Sequence, residues 1–136
     1  MSERRIDLRS PLFLWGPVVL MLLVIFAASS IPNLKTLPGN MSDKSGHSIG
    51  YGLLGGLLLR ALAGGRIRGV TWSCGIAAIA LATLYGVTDE FHQLFVPGRS
   101  PDRYDVLADC IGATLGAALG WVAVAMQRWG ILHSSS

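Results

Sequence analysis

Two stretches of the chain gather the side chains that move protons or hold anions. Residues 89–109, DEFHQLFVPGRSPDRYDVLAD, contain Asp89, Glu90, His92, Gln93, Arg99, Ser100, Asp102, Arg103, Asp105 and Asp109. A shorter stretch, DKSGHS, contains Asp43, Lys44 and His47. Residues three and four apart share a helix face, and Asp43 with His47, Asp89 with His92 and Gln93, and Asp105 with Asp109 all have that spacing. A histidine beside a carboxylate suits general acid–base work, so His92 or His47 reads as a base oriented by Asp89 or Glu90, acting on a phosphate or acyl link. Arg99, Ser100 and Lys44 supply anion contacts, and Gln93, Asp43, Asp105 and Asp109 complete the polar set around a ligand.

Each residue also has a plain structural use. Asp43 and Asp105 stand where a helix would start and could serve as N-caps, worth about 1 kcal/mol each. The histidines could make hydrogen bonds between helices, and Asp102 with Arg103 reads as a solvated loop pair. Adjacent Asp89 and Glu90 repel unless a cation answers them, and Arg99 is the natural answer. Histidine and carboxylates at these spacings could ligate Zn²⁺, but no His-x-x-x-His or Cys-x-x-Cys pair supports it, so neither a metal nor a cofactor is expected. KSGHS resembles the PSGH element of lipid phosphatases, whose accompanying Ser-Arg and His-x-x-x-Asp elements are missing. Cys74 and Cys110 fall near opposite ends of their segments, too far apart for a disulfide, and read as buried thiols.

The elements that must carry these groups are strongly apolar. Of 136 residues, 51% are hydrophobic and only 14% charged, which is outside the balance of soluble domains. Runs at about 11–31, 45–63, 70–88 and 106–126 each approach the roughly 20 apolar residues that cross a bilayer as helix. Such a chain is expected to be all-α: one polytopic membrane domain over 1–136, a bundle of four transmembrane helices with a polar outer loop at 89–105. MSERRIDLRS followed by an apolar run and FAASS also has the parts of a signal peptide, but the run exceeds the usual h-region.

Basic residues favour the cytoplasmic side. Seven of them, Arg4, Arg5, Arg9, Arg60, Arg66, Arg68 and Arg128, fall on the side of both termini, against Lys35, Lys44, Arg99 and Arg103 on the other. Both termini are therefore expected to be cytoplasmic, with Trp15, Trp72, Trp121 and Trp129 in the inner interfacial belt. The net charge of +3 is explained by this topology and gives no support to nucleic-acid binding. Six carboxylates and four cations then share the outer side, and Asp89, Glu90, His92, Arg99, Asp105, Asp109 and His47 are expected to line one cavity opening to the outer face. Gly112, Gly116 and Gly120 form a GxxxGxxxG stripe, repeated by Ser48, Gly52 and Gly56, that suits close helix packing within the chain or a homo-oligomer.

Taken in order, Asp43-Lys44-x-x-His47 leading a glycine-rich span through Tyr51, then DEFHQLFVPGRSPDRYDVLAD and IGATLGAALG, resemble the VanZ-like family of small bacterial membrane proteins, named for a teicoplanin-resistance protein. The resemblance covers roughly 43–120. It implies a polytopic protein of the bacterial cytoplasmic membrane, linked in some members to glycopeptide tolerance, and no settled biochemical activity. This chain departs from the family in carrying Asp109 where members usually have Asn, which calls for protonation, a partner such as Lys44 or Arg99, or water. The expected function is binding or modification of a lipid or lipid-linked envelope precursor headgroup. The alternatives are an intramembrane enzyme and a structural or permeation bundle.

Overall fold

The computed structural model describes residues 10–32, 36–37 and 41–133, with the side chains of 36–37, 41–43, 67 and 131–133 outside the described part. Four helices account for nearly all of it: α1 (Pro11–Ser29), α2 (Asp43–Leu62), α3 (Trp72–Gln93) and α4 (Arg103–His133). Between α1 and α2, β1 (Thr36–Leu37) pairs antiparallel with β2 (Met41–Ser42), two residues each. Among the described residues, the elements are all helical apart from this pair. Helices α1, α3 and α4 are long and apolar enough to cross a membrane. Helix α2 matches them in length, at 20 residues, but its first turns hold Asp43, Lys44, His47 and two serines and its middle is rich in glycine.

Local chemistry sets the helix ends. Ser10 caps α1, its hydroxyl accepting the Phe13 N–H at 3.3 Å, and Pro11 follows at the first helical position, where a missing N–H costs nothing. Thr71 caps α3 by accepting from the Cys74 N–H. Helix α2 stops at Gly64 and Gly65, both in the left-handed region that favours glycine. After α3, Pro97 and Gly98 make a tight turn with Gly98 at φ 75° and the Arg99 N–H on the Val96 carbonyl, which sends the chain back over the bundle. Helix α3 runs one turn past the apolar segment, so Asp89, Glu90, His92 and Gln93 are helical and the connection to α4 is shorter than the apolar pattern suggests.

Packing is tightest between α2 and α4. A side chain built on Gly55 would meet the Ala113 backbone at 2.5 Å, and one on Gly112 or Gly116 would overlap the Ser48 or Gly52 backbone. The glycine stripes of the two helices therefore face each other within the chain, where lipid supplies no hydrophobic drive and close contact must hold the pair. Leu54, Leu58, Leu59, Ala78, Ala82 and Ala113 fill the centre, with Leu14, Val18 and Ile25 of α1 closing one side. Helix α1 contains Pro17, which has no N–H for the Phe13 carbonyl one turn earlier. Arg60 of α2 fills the gap, donating from Nη1 to that carbonyl at 3.1 Å and lying over the Phe13 ring.

Candidate functional site

The antiparallel path brings the end of α1, the start of α2, the end of α3 and the start of α4 to one end of the bundle. There, His47, Asp89, Glu90, Gln93, Asp105 and Asp109 are all buried, together with Ser29. Asp109, fully buried, accepts from His47 Nδ1 at 2.8 Å. Its other oxygen, Oδ2, lies against Gly86, where any side chain would collide with it. Asp89 accepts from the Ser29 hydroxyl at 2.7 Å through Oδ2, and Glu90 accepts from Gln93 Nε2 at 3.2 Å and from the Asp102 N–H at 2.7 Å. Asp89 Oδ1, Asp109 Oδ2 and the Tyr51 hydroxyl are buried without a hydrogen-bond partner.

At the rim, Lys44 Nζ donates to Asp102 at 2.6 Å and to Asp105 at 2.9 Å, clasping α2 to α4. Asp102 and then Asp105 hold the lysine well above its ordinary pKa. In return Lys44, helped by the Tyr104 N–H, holds the Asp102 carboxyl below the usual range. Asp102 also does the capping work expected of Asp105. Helix α4 begins one residue after it, and Asp105, now in the first turn, points inward.

A cavity of about 270 Å³ opens between α1 and α2. Met21, Val24, Ile25 and Leu53 line its depth, and Ser29, His47, Asp89 and Arg99 its polar end. Of the residues expected to share one cavity, His47, Asp89 and Arg99 do so. Glu90, Gln93, Asp105 and Asp109 are packed behind them among the helix ends. His92 turns aside, its Nε2 3.0 Å from the Ser30 hydroxyl and its ring against Phe26. Ser100 is exposed, and the side chain of Asp43 lies outside the described residues.

Three pairings differ from the sequence expectation. Arg99 reaches the cavity beside Asp89, yet among the described residues neither Asp89 nor Glu90 forms an ion pair. Neutral hydroxyl, amide and backbone donors meet their charge instead. Asp102 pairs with Lys44 while Arg103 lies over the Tyr104 ring, so they are not a loop pair. Asp109 takes His47 as its partner, in place of Lys44, Arg99 or water, because the helix faces of α2 and α4 that carry them meet at the glycine seam.

Sequence reading passed over Ser29, Ser30 and Gly86, and named Tyr51 only as part of the family resemblance. The serines end an otherwise apolar run at the level of Asp89, and Gly86 stands one turn before it, which are the available signals. Residues 12–124 match the family model described as VanZ/LLP1. The chain belongs to that family. It is a VanZ-like envelope protein with membrane-type helices, and the match adds 12–42, which holds all of α1 but Pro11, and 121–124 to the region where the resemblance was read. Neither the curated proteins nor the solved structures include a significant match to the chain.

Proposed function

We propose that this VanZ-like protein binds the headgroup of a lipid or lipid-linked envelope precursor at the polar end of the bundle, from within the bacterial cytoplasmic membrane. The observation that carries the reading is the change of lining along one cavity. Its wall is largely aliphatic, with Met21, Val24, Ile25 and Leu53, and also carries Ser29, His47, Asp89 and Arg99. Only an amphiphile matches both parts. Arg99 serves as the anion contact, with Lys44 and Ser100 at the rim. In this reading all four helices span the bilayer, α2 shielded by its neighbours, and both termini are cytoplasmic. The polar end then faces outward, where precursors of the cell wall are exposed, and retention of such a lipid links the protein to teicoplanin tolerance.

The test is lipid retained through purification. Mass spectrometry of wild-type protein in mild detergent should find one phosphorylated or polyprenyl species enriched over bulk lipid, and Arg99→Ala should lose it while remaining in the membrane. Equal lipid profiles in the two proteins would end the proposal. Reporter fusions at Pro97 and at Ser136 test the topology, and an extracytoplasmic carboxyl terminus contradicts it.

The pair His47–Asp109 favours a second reading, an intramembrane acid–base enzyme. A buried carboxylate 2.8 Å from Nδ1 orients the imidazole as general bases are oriented, and His47 lines the cavity. Asp89 and Glu90 lie in the same cluster, whereas His92 is engaged with α1. Turnover of the retained lipid, lost in His47→Ala and kept in His92→Ala, distinguishes this reading from binding alone.

A further inference from the structure

Four carboxylates, Asp89, Glu90, Asp105 and Asp109, are each at most 6% exposed. Burying ionised groups costs several kcal/mol apiece unless opposite charge meets them. Lys44 answers Asp105 and His47 answers Asp109, but the hydrogen bonds to Asp89 and Glu90 come from neutral donors, and buried Asp89 Oδ1 has no partner. Lys44 and His47 thus meet two of the four carboxylates directly, and Arg99 lies beside Asp89 at the cavity.

We propose that His47, Glu90 and Asp105 bind a divalent first-row transition ion, with Zn²⁺ as the reference. They come from α2, α3 and α4, and one ligand atom from each lies within 4.8 Å of the others. Two ligands of a tetrahedral ion with bonds of about 2.1 Å stand roughly 3.4 Å apart, so small side-chain rotations close the three onto one centre. One imidazole nitrogen with two carboxylates selects zinc or manganese over Ca²⁺ and Mg²⁺, which take oxygen ligands.

The surroundings fit a ligand set already held in place. Asp109 engages Nδ1 of His47, which directs Nε2 as the ligand nitrogen and orients the ring, the arrangement found behind metal-bound histidines. Gln93 and the Asp102 N–H hold Glu90, and Lys44 holds Asp105 through Oδ1. Carboxylate oxygens keep lone pairs beyond these bonds. The three ligands lie on separate helices with no short spacing among them, so the sequence argument against a metal did not reach them. The inference stands apart from the identity of the cavity's ligand.

The experiment uses tag-free full-length protein in detergent, stripped with chelator and dialysed against ZnCl₂. Elemental analysis should find close to one ion per chain, and thermal unfolding should shift upward with Zn²⁺ concentration. Glu90→Gln and Asp105→Asn, which keep side-chain shape, should each weaken binding tenfold or more. Asp109→Asn should weaken it by about 10- to 100-fold as the ring loses its charged support. His92→Ala should bind as the wild type does. Co²⁺ in place of Zn²⁺ should give visible absorption that Glu90→Gln abolishes. Wild-type protein without stoichiometric ion or Zn²⁺-dependent thermal shift overturns the proposal and leaves a shared proton as the neutralising charge. Unchanged affinity in both carboxylate variants, or a loss in His92→Ala equal to that in His47→Ala, overturns it as well. If the variants do not fold, the wild-type thermal shift alone decides.

Discussion

The two ends of the bundle solve the same problem with opposite chemistry. At the basic end, cations meet backbone carbonyls: Arg60 donates to the Phe13 carbonyl that Pro17 leaves open, and Arg128 to that of Val70 at 3.4 Å. Both guanidinium groups sit where a long side chain reaches the interface, so charge and hydrogen bond are satisfied together. At the polar end, carboxylates are drawn inward and met mostly by neutral donors, with two of their oxygens unpartnered. The first end also holds an unpartnered buried donor, Trp121 Nε1, but that group carries no charge. The second leaves carboxylate oxygens buried without partners, the kind of cost to stability that functional sites carry.

Breaking the seam common to both ends should have the largest effect. Gly116→Val would drive a branched side chain into the Gly52 backbone. We expect a loss of roughly 3 kcal/mol or more, read as failure to accumulate in the membrane or as a collapsed melting temperature in detergent. Next come two substitutions at the polar end whose contrast isolates charge. Asp109→Ala removes the partner of His47 and should cost about 1–3 kcal/mol. Asp109→Asn keeps a hydrogen-bonding group beside His47 and removes only the carboxylate charge, so it should lower the melting temperature less than Asp109→Ala does. A lower melting temperature for Asn than for Ala would show that the charge at Asp109 is compensated.

The basic end should respond less, and locally. Arg60→Met leaves the Phe13 carbonyl unanswered and should cost about 1 kcal/mol, without altering ligand or ion binding at the other end. Adding Pro17→Ala supplies an N–H to the same carbonyl, so the double variant should recover part of that loss. Simple additivity would show that Arg60 does not act through this bond. The smallest effect belongs to Lys44→Met at the exposed clasp. Asp102 is held below its ordinary pKa, so the clasp contributes above the unfolded carboxylate value near pH 4 and fades as pH falls through the lowered one. Lys44 is held above its ordinary pKa, so the contribution persists below about pH 10 and fades as pH rises through the raised value. Between those limits, any difference in melting temperature between Lys44→Met and wild type should shrink in high salt.

Helical content and the gathering of polar groups at one end were legible because both follow from spacing: apolar runs of membrane length, and ionisable residues confined to their margins. The tight turn at Pro97–Gly98 and the close packing of the glycine stripes were legible for the same reason. Pairing across helices was not. Which carboxylate meets His47, or whether Arg99 meets Glu90, depends on the rotation of each helix about its axis, and the glycine seam sets that rotation to within one residue. Asp102 takes the capping role expected of Asp105 because α4 starts about one turn earlier, and Asp105 turns inward instead. The triad is spread over three helices, and no linear spacing announces it.

Helix α1 is joined to the rest by very little that is specific. Its polar ties are Arg60 on Phe13, Tyr85 on Leu22, Ser29 on Asp89 and Ser30 with His92. Interhelical hydrogen bonds in a bilayer average about 0.6 kcal/mol, so four such ties sum to roughly 2–3 kcal/mol. Helices α2 and α4 meet backbone to backbone and have no comparable freedom. The cavity therefore has one wall, α2, packed backbone to backbone on α4, and one, α1, held by side-chain packing and a few hydrogen bonds.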